Sequence, residues 1–125
     1  MNGKPTTDTI IDADGILAQF GGDYEVAREV IEVFLEDNPK ALAGLREAVQ
    51  GQDSANIRKC AHSLKGAASN FSAQVAGTAD ELEQMGAAGS LQGAQERLVR
   101  LEEEVARLEA ALTALDGGRS IRGRR

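Results

Sequence analysis

The chain has 125 residues, 42% hydrophobic and 27% charged, which suits a single globular domain. Its net charge is −6; the last ten residues carry +3, so residues 1–115 carry −9, and an acidic body argues against nucleic acid as the main partner. One cysteine excludes an internal disulfide framework, and no apolar run approaches the roughly 18 residues of a membrane span. Residues 1–9 lack the apolar core of a signal peptide, so a cytoplasmic protein is expected. Aromatics are only 3%, so the core must be aliphatic, and the abundance of Ala, Leu, Glu and Arg favours helix.

Residues 1–9 are polar, contain Pro5, and read as a flexible lead. In "IIDADGILAQF" Asp12 suits the N-cap of a short helix, with Ile11 and Ile16 as a hydrophobic staple. "GGD" at 21–23 ends that helix and caps the next. From Asp23 to about Gln50, Ala27, Val30, Ile31, Phe34, Leu35, Ala41, Leu45 and Ala48 keep helical spacing. Pro39 interrupts this segment, but the apolar phase survives it, which favours one kinked helix over two. A third helix is expected from Ser54 to Phe71, with Ile57, Ala61, Leu64, Ala68 and Phe71 buried. "SAQ" at 72–74 leads into another, holding Val75, Ala79, Leu82 and Met85. "GAAGS" at 86–90 reads as a loop, with Ser90 capping the last helix. In that helix Leu91, Ala94, Leu98, Leu101, Val105, Leu108, Leu112 and Leu115 recur at 3.5-residue spacing, and 116–125 reads as a disordered basic tail. Short loops make neighbouring helices antiparallel. The expected fold is therefore all-α: an up-and-down four-helix bundle over 10–115 with a short extra N-terminal helix.

The only histidine, His62, lies about 100° off the centre of the buried face. By helical spacing Arg58, His62, Lys65, Gly66 and Ser69 share one side, with Lys59 adjoining. This is a basic, exposed face on an acidic protein. Nearby cations disfavour a protonated imidazole, and a neutral imidazole is the nucleophilic form. A phosphoryl group on the ring would meet Lys65. Gly66, one turn on, keeps the surface low beside the ring, although glycine costs a helix about 1 kcal/mol relative to alanine. Cys60, two positions from His62, points elsewhere and reads as a small apolar residue. The acidic runs 32–37 and 102–104 read as solvated faces. The last helix reads as part of the bundle, not an intermolecular coiled coil, so a monomer is expected.

"AHSLKGAASNFSA" closely resembles the signature of the histidine-containing phosphotransfer (HPt) domain of two-component phosphorelays. "FLEDNPKALAGLREAVQGQDSANIRKCAHSLKGAA" and "ELEQMGAAGSLQGAQERLVRLEEEVARLEAAL" are similar to the family's approach to its histidine helix and to its closing helices. The resemblance implies that His62 is phosphorylated, that Lys65 supports the phosphoryl group and that Gly66 gives clearance. It implies a phosphocarrier, not an enzyme with its own ATP site. Partners would be receiver domains or a hybrid kinase, with Mg²⁺ brought by the receiver and no cofactor held by this chain. Docking would use the histidine face, including Arg58, Lys59 and Ser69, together with the adjoining surface of the 23–50 helix and an apolar patch beside His62. The family usually has glycine where this chain has Ser72, which leaves two options there: a strained left-handed turn, or a cap for the next helix. Two other readings compete, a docking module without turnover and a hydrolase using His62 as general base. The second is the weaker, since no carboxylate orienter stands on the histidine's own face.

Overall fold

Short polar side chains set the helix starts. In the computed structural model, which describes residue 16 and residues 18–117, four helices follow one another: α1 (Tyr24–Gln50), α2 (Ser54–Ala68), α3 (Ala73–Ala88) and α4 (Ala94–Gly117). Asp23 accepts from the backbone N–H groups of Glu25 and Val26, Asp53 from that of Asn56, and Ser72 from that of Val75. Each cap satisfies donors that the first turn leaves unpaired. No strand occurs among the described residues.

Loops of three to five residues join the helices, and α1 packs on α2, α2 on α3, α3 on α4 and α4 back on α1. This closed ring is the antiparallel four-helix bundle that the sequence implies. Leu45, Ile57, Leu64, Leu82, Leu98, Leu101, Leu108 and Leu112 are fully buried at its centre. The Phe34 and Phe71 rings meet at 5.2 Å between centroids, tilted by 59°. Hydrogen bonds from Asn38 to Glu109 (2.7 Å) and from Arg46 to Glu102 (2.7 Å) tie α1 to α4, while Arg97 and Arg100 both reach Glu81 across α3 and α4.

Several expectations need correction, but one helix across Pro39 is not among them: α1 runs through this exposed residue, so the lost hydrogen bond falls on the solvent side. Its buried stripe passes through Asn38, Leu42 and Val49, leaving Val30, Leu35 and Ala41 only half-buried. Helix α2 stops at Ala68, not Phe71, because Ser72 must already be extended to cap α3; Phe71 still enters the core from the turn. Helix α3 extends through Gly86 to Ala88. Gly89 then turns left-handed (φ 69°), and the Ser90 N–H donates to the Met85 carbonyl. This Schellman-type closure uses Ser90 to end α3, not to cap α4. The acidic run at 102–104 is not a uniformly solvated face, since Glu104 is buried. The flexible lead, most of the short N-terminal helix, the side chain of Leu115 and the basic tail after Gly117 lie outside the described residues.

Candidate functional site

Helix α2 is pinned by its apolar stripe. Ile57, Ala61, Leu64 and Ala68 are all buried, as the 4-3-4 spacing requires. Residues about 100° away must then face outward. The His62 side chain is 66% exposed. Gly66 is exposed, and a Cβ added there would meet no atom within 4 Å outside its own helix backbone. The Ser69 hydroxyl donates to the Gly66 carbonyl at 2.9 Å, and Arg58 and Lys59 are exposed on the same helix. The residues picked from the sequence thus occupy one outward surface of α2. Cys60 lies elsewhere: it is half-buried, with its sulfur facing Gly44 of α1.

Two functional candidates come from α3 and were not visible on the α2 face. Glu83 Oε2 sits 3.0 Å from His62 Nδ1, and Glu83 Oε1 sits 2.8 Å from Lys65 Nζ. Asp80 Oδ1 accepts from Lys65 Nζ at 3.1 Å. The Lys65–Glu83 contact is a close ion pair and not a well-directed hydrogen bond, since Glu83 Oε1 has no partner of good geometry. The signal that finds both carboxylates is antiparallel register. Residues 62 and 65 on α2 meet 83 and 80 on α3, each pair symmetric about the turn before Ala73. The nearest charge to the imidazole is therefore an anion, against the purely basic face expected from α2 alone.

Gly86 brings α3 close enough for these contacts. A Cβ there would stand 2.6 Å from the Arg58 nitrogen and 2.7 Å from the Ser54 carbonyl oxygen, so the two backbones touch at this point. The clasp forms one and two turns further along the same helix pair.

Electrostatics bind the clasp. Lys65 is raised above the ordinary ammonium value, first by Glu83 and then by Asp80. Glu83 and Asp80 are each held below the ordinary carboxylate range, first by Lys65. Lowered carboxylates stabilise the fold above their ordinary values and lose that contribution as pH falls through the lowered ones. A raised lysine contributes below its ordinary value and loses its share as pH climbs through the raised one. The clasp therefore holds across neutral pH and opens in acid. The stability difference between wild type and Lys65→Met should shrink progressively as pH falls below the ordinary carboxylate range, about 4, in denaturant titrations. A difference that does not shrink with falling pH would mean that Lys65 stabilises by packing, not charge.

On the other side of α2, a groove of about 310 Å³ opens against α1. Val30, Val33, Phe34 and Ala41 line it from α1, and Ser63 and Ala67 line it from α2, immediately beside His62 and Gly66. Val33 is 56% exposed. The histidine thus stands on a ridge between a charged clasp and an apolar groove.

The model of the Hpt domain family matches residues 29–111 of this chain. The chain belongs to the Hpt domain family. HPt domains are intermediates of two-component phosphorelays, where they interact with receiver domains and hybrid kinases, and that is the role of this domain. Its fold is similar to histidine-containing phosphotransfer protein B of Pseudomonas aeruginosa PAO1, with a TM-score of 0.79 and 27% identity over 91% of this chain and 96% of that one. It is also similar to the HPT domain of a sensor hybrid histidine kinase from Shewanella, with a TM-score of 0.76 and 18% identity over 86% and 93% of the two chains; at that identity the likeness speaks for the fold alone. No curated protein matches the chain significantly by sequence. No helix among the described residues is long and apolar enough to cross a membrane.

Proposed function

We propose that His62 is the phosphorylated residue of this HPt domain and that its Nε2 is the atom that carries the group. The observation behind this reading is the 3.0 Å contact between His62 Nδ1 and Glu83 on a ring that is otherwise exposed. Glu83, held in its ionised form by Lys65, can only accept a hydrogen bond. Nδ1 must therefore carry the proton, which leaves the lone pair of the neutral ring on Nε2, the other nitrogen. In transfer from a receiver, that lone pair forms the N–P bond. The P–O bond to the aspartyl carboxylate breaks, and its electron pair leaves with the carboxylate. The proton on Nδ1 stays, and Glu83 faces the positive charge that the ring acquires. Return to a second receiver reverses each step. Positioning and charge stabilisation are what such a transfer asks of the protein.

The remaining roles follow from placement. Lys65, next to the ring, supports the phosphoryl oxygens. Arg58, Lys59 and Ser69 meet the partner on the surface of α2, and the apolar groove between α1 and α2 receives part of it. Asp80 and Glu83 are engaged by Lys65 and so are poor ligands for a cation; Mg²⁺ comes with the receiver's own acidic pocket. The chain acts as a monomeric carrier in the cytoplasm, with no kinase activity or bound cofactor of its own. Gly66 keeps the approach to Nε2 open. Gly66→Leu should fold at least as stably as wild type, since space is free and leucine is the better helix former, yet accept phosphoryl groups at least about tenfold more slowly, the scale on which misplaced reactants lose rate. Normal transfer rates in that variant would refute the clearance argument.

The deciding test is incubation with a phosphorylated receiver domain or a low-molecular-weight phosphodonor. The expected product is an acid-labile, base-stable phosphate on the chain. The Glu83–His62 pair also supplies the carboxylate orienter that a general base needs, so the same experiment separates the two readings: a general base releases phosphate to water and leaves no label.

A further inference from the structure

From the clasp geometry we infer that Asp80 is a positioning residue that sets how strongly this domain holds a phosphoryl group, by competing with that group for Lys65. The inference rests on the phosphocarrier reading above. Lys65 Nζ has a carboxylate oxygen at 2.8 Å and another at 3.1 Å, from Glu83 and Asp80. One cation is thus shared by two anions, and the clasp carries a net charge of −1 before any phosphate arrives. A phosphoryl group on His62 adds roughly −1.5 to −2 at neutral pH, as judged from phosphorylated side chains. It must draw Lys65 away from carboxylates that already satisfy it.

The two carboxylates are not equivalent. Glu83 also fixes the imidazole through Nδ1 and is the more buried, with its side chain 14% exposed. Removing it would disturb the ring and the charge together. Asp80 has no contact to the ring; its side chain is 45% exposed, and its partners are Lys65 and, more weakly, Gln84 at 3.4 Å. Without Asp80, Lys65 keeps its anchor on Glu83 and turns more readily to the phosphoryl oxygens. Asp80 therefore weakens the phosphorylated state without touching the nucleophile. A carrier that must both accept and surrender the same group gains from such a counterweight, because too firm a hold on the phosphoryl group stops the onward transfer.

The experiment measures the equilibrium between the phosphorylated receiver and the phosphorylated chain, together with the half-life of the phosphohistidine, for wild type, Asp80→Asn, Asp80→Glu and Glu81→Gln. Asp80→Asn should shift the equilibrium toward the phosphorylated chain by about two- to fivefold, the worth of one exposed ion pair, and lengthen the half-life. Asp80→Glu should restore wild-type behaviour. Glu81→Gln, which alters a carboxylate held by Arg97 and Arg100, should change neither. In a Lys65→Met background Asp80→Asn should lose its effect. An unchanged equilibrium in Asp80→Asn overturns the inference, as does an effect of equal size without Lys65. If the wild type takes no label at all, the phosphocarrier reading itself fails.

Discussion

His62→Gln should abolish the acid-labile label entirely while leaving the melting temperature within about 2 °C of wild type. The two halves of this expectation have separate causes. The ring is two-thirds exposed and contributes nothing to the core, and its polar contact is to Glu83. A glutamine amide can still donate to that carboxylate, so the Glu83–Lys65–Asp80 clasp stays closed. Surface substitutions of this kind usually change stability by no more than about 0.5 kcal/mol. The chemistry has no such substitute. An amide nitrogen has its lone pair delocalised into the carbonyl and cannot attack phosphorus. Circular dichroism melts beside the labelling assay check both halves. Residual label on the glutamine variant would place the phosphoryl group on another residue. A large drop in stability would show that the ring matters to the fold.

What the sequence made legible was decided by distance along the chain. Ile57, Ala61, Leu64 and Ala68 form a stripe within one short helix, and local periodicity located each of them. The outward face that holds His62, Lys65, Gly66 and Ser69 followed from the same wheel. In α1 the wheel slipped, because a polar residue, Asn38, occupies the buried stripe. Its partner is Glu109 on α4, 71 positions away, and nothing local announces that pairing. Glu104 escapes the local pattern too: of three consecutive glutamates it alone is buried, while Glu102 is half-buried and Glu103 exposed. Glu83 and Asp80 sit between these cases. They are too far from His62 for a helix wheel, but a four-residue turn fixes the antiparallel register, and register alone puts 83 opposite 62 and 80 opposite 65.

Ser72 shows a choice that only three-dimensional context makes. A left-handed turn and an N-cap were both open to it. The structure has the N-cap, with φ at −149° and the hydroxyl accepting from the Val75 N–H. That choice shortens α2 by three residues relative to its apolar pattern and starts α3 at Ala73, so the clasp register depends on it. The glycines make the same point in a different way. Gly66 and Gly86 are both helical and both look like defects by propensity. One faces open space. The other is pressed against a backbone.

Gly86→Val should destabilise the fold by about 2–3 kcal/mol, as overpacking at a rigid contact does, and lower the melting temperature by on the order of 10 °C. A Cβ at this position lies 2.6 Å from the Arg58 nitrogen, 2.7 Å from the Ser54 oxygen and 3.0 Å from the Arg58 Cα. All three are main-chain atoms, so no side-chain rotation relieves the clash and the helices must part. The gain in helix propensity over glycine, up to about 0.5 kcal/mol for a β-branched residue, is too small to offset this. Separation at Gly86 also reaches the site, because Glu83 lies less than one turn away and carries both ring and lysine contacts. Gly86→Val should therefore weaken the Glu83–His62 hydrogen bond, read as a change in the ¹⁵N shift of His62 Nδ1, at temperatures where the variant is still folded. Gly66→Ala is the internal control: with free space around its Cβ it should raise stability by up to about 1 kcal/mol and leave that shift in place. If the two variants melt alike, the close approach of α2 and α3 is not what holds the clasp together.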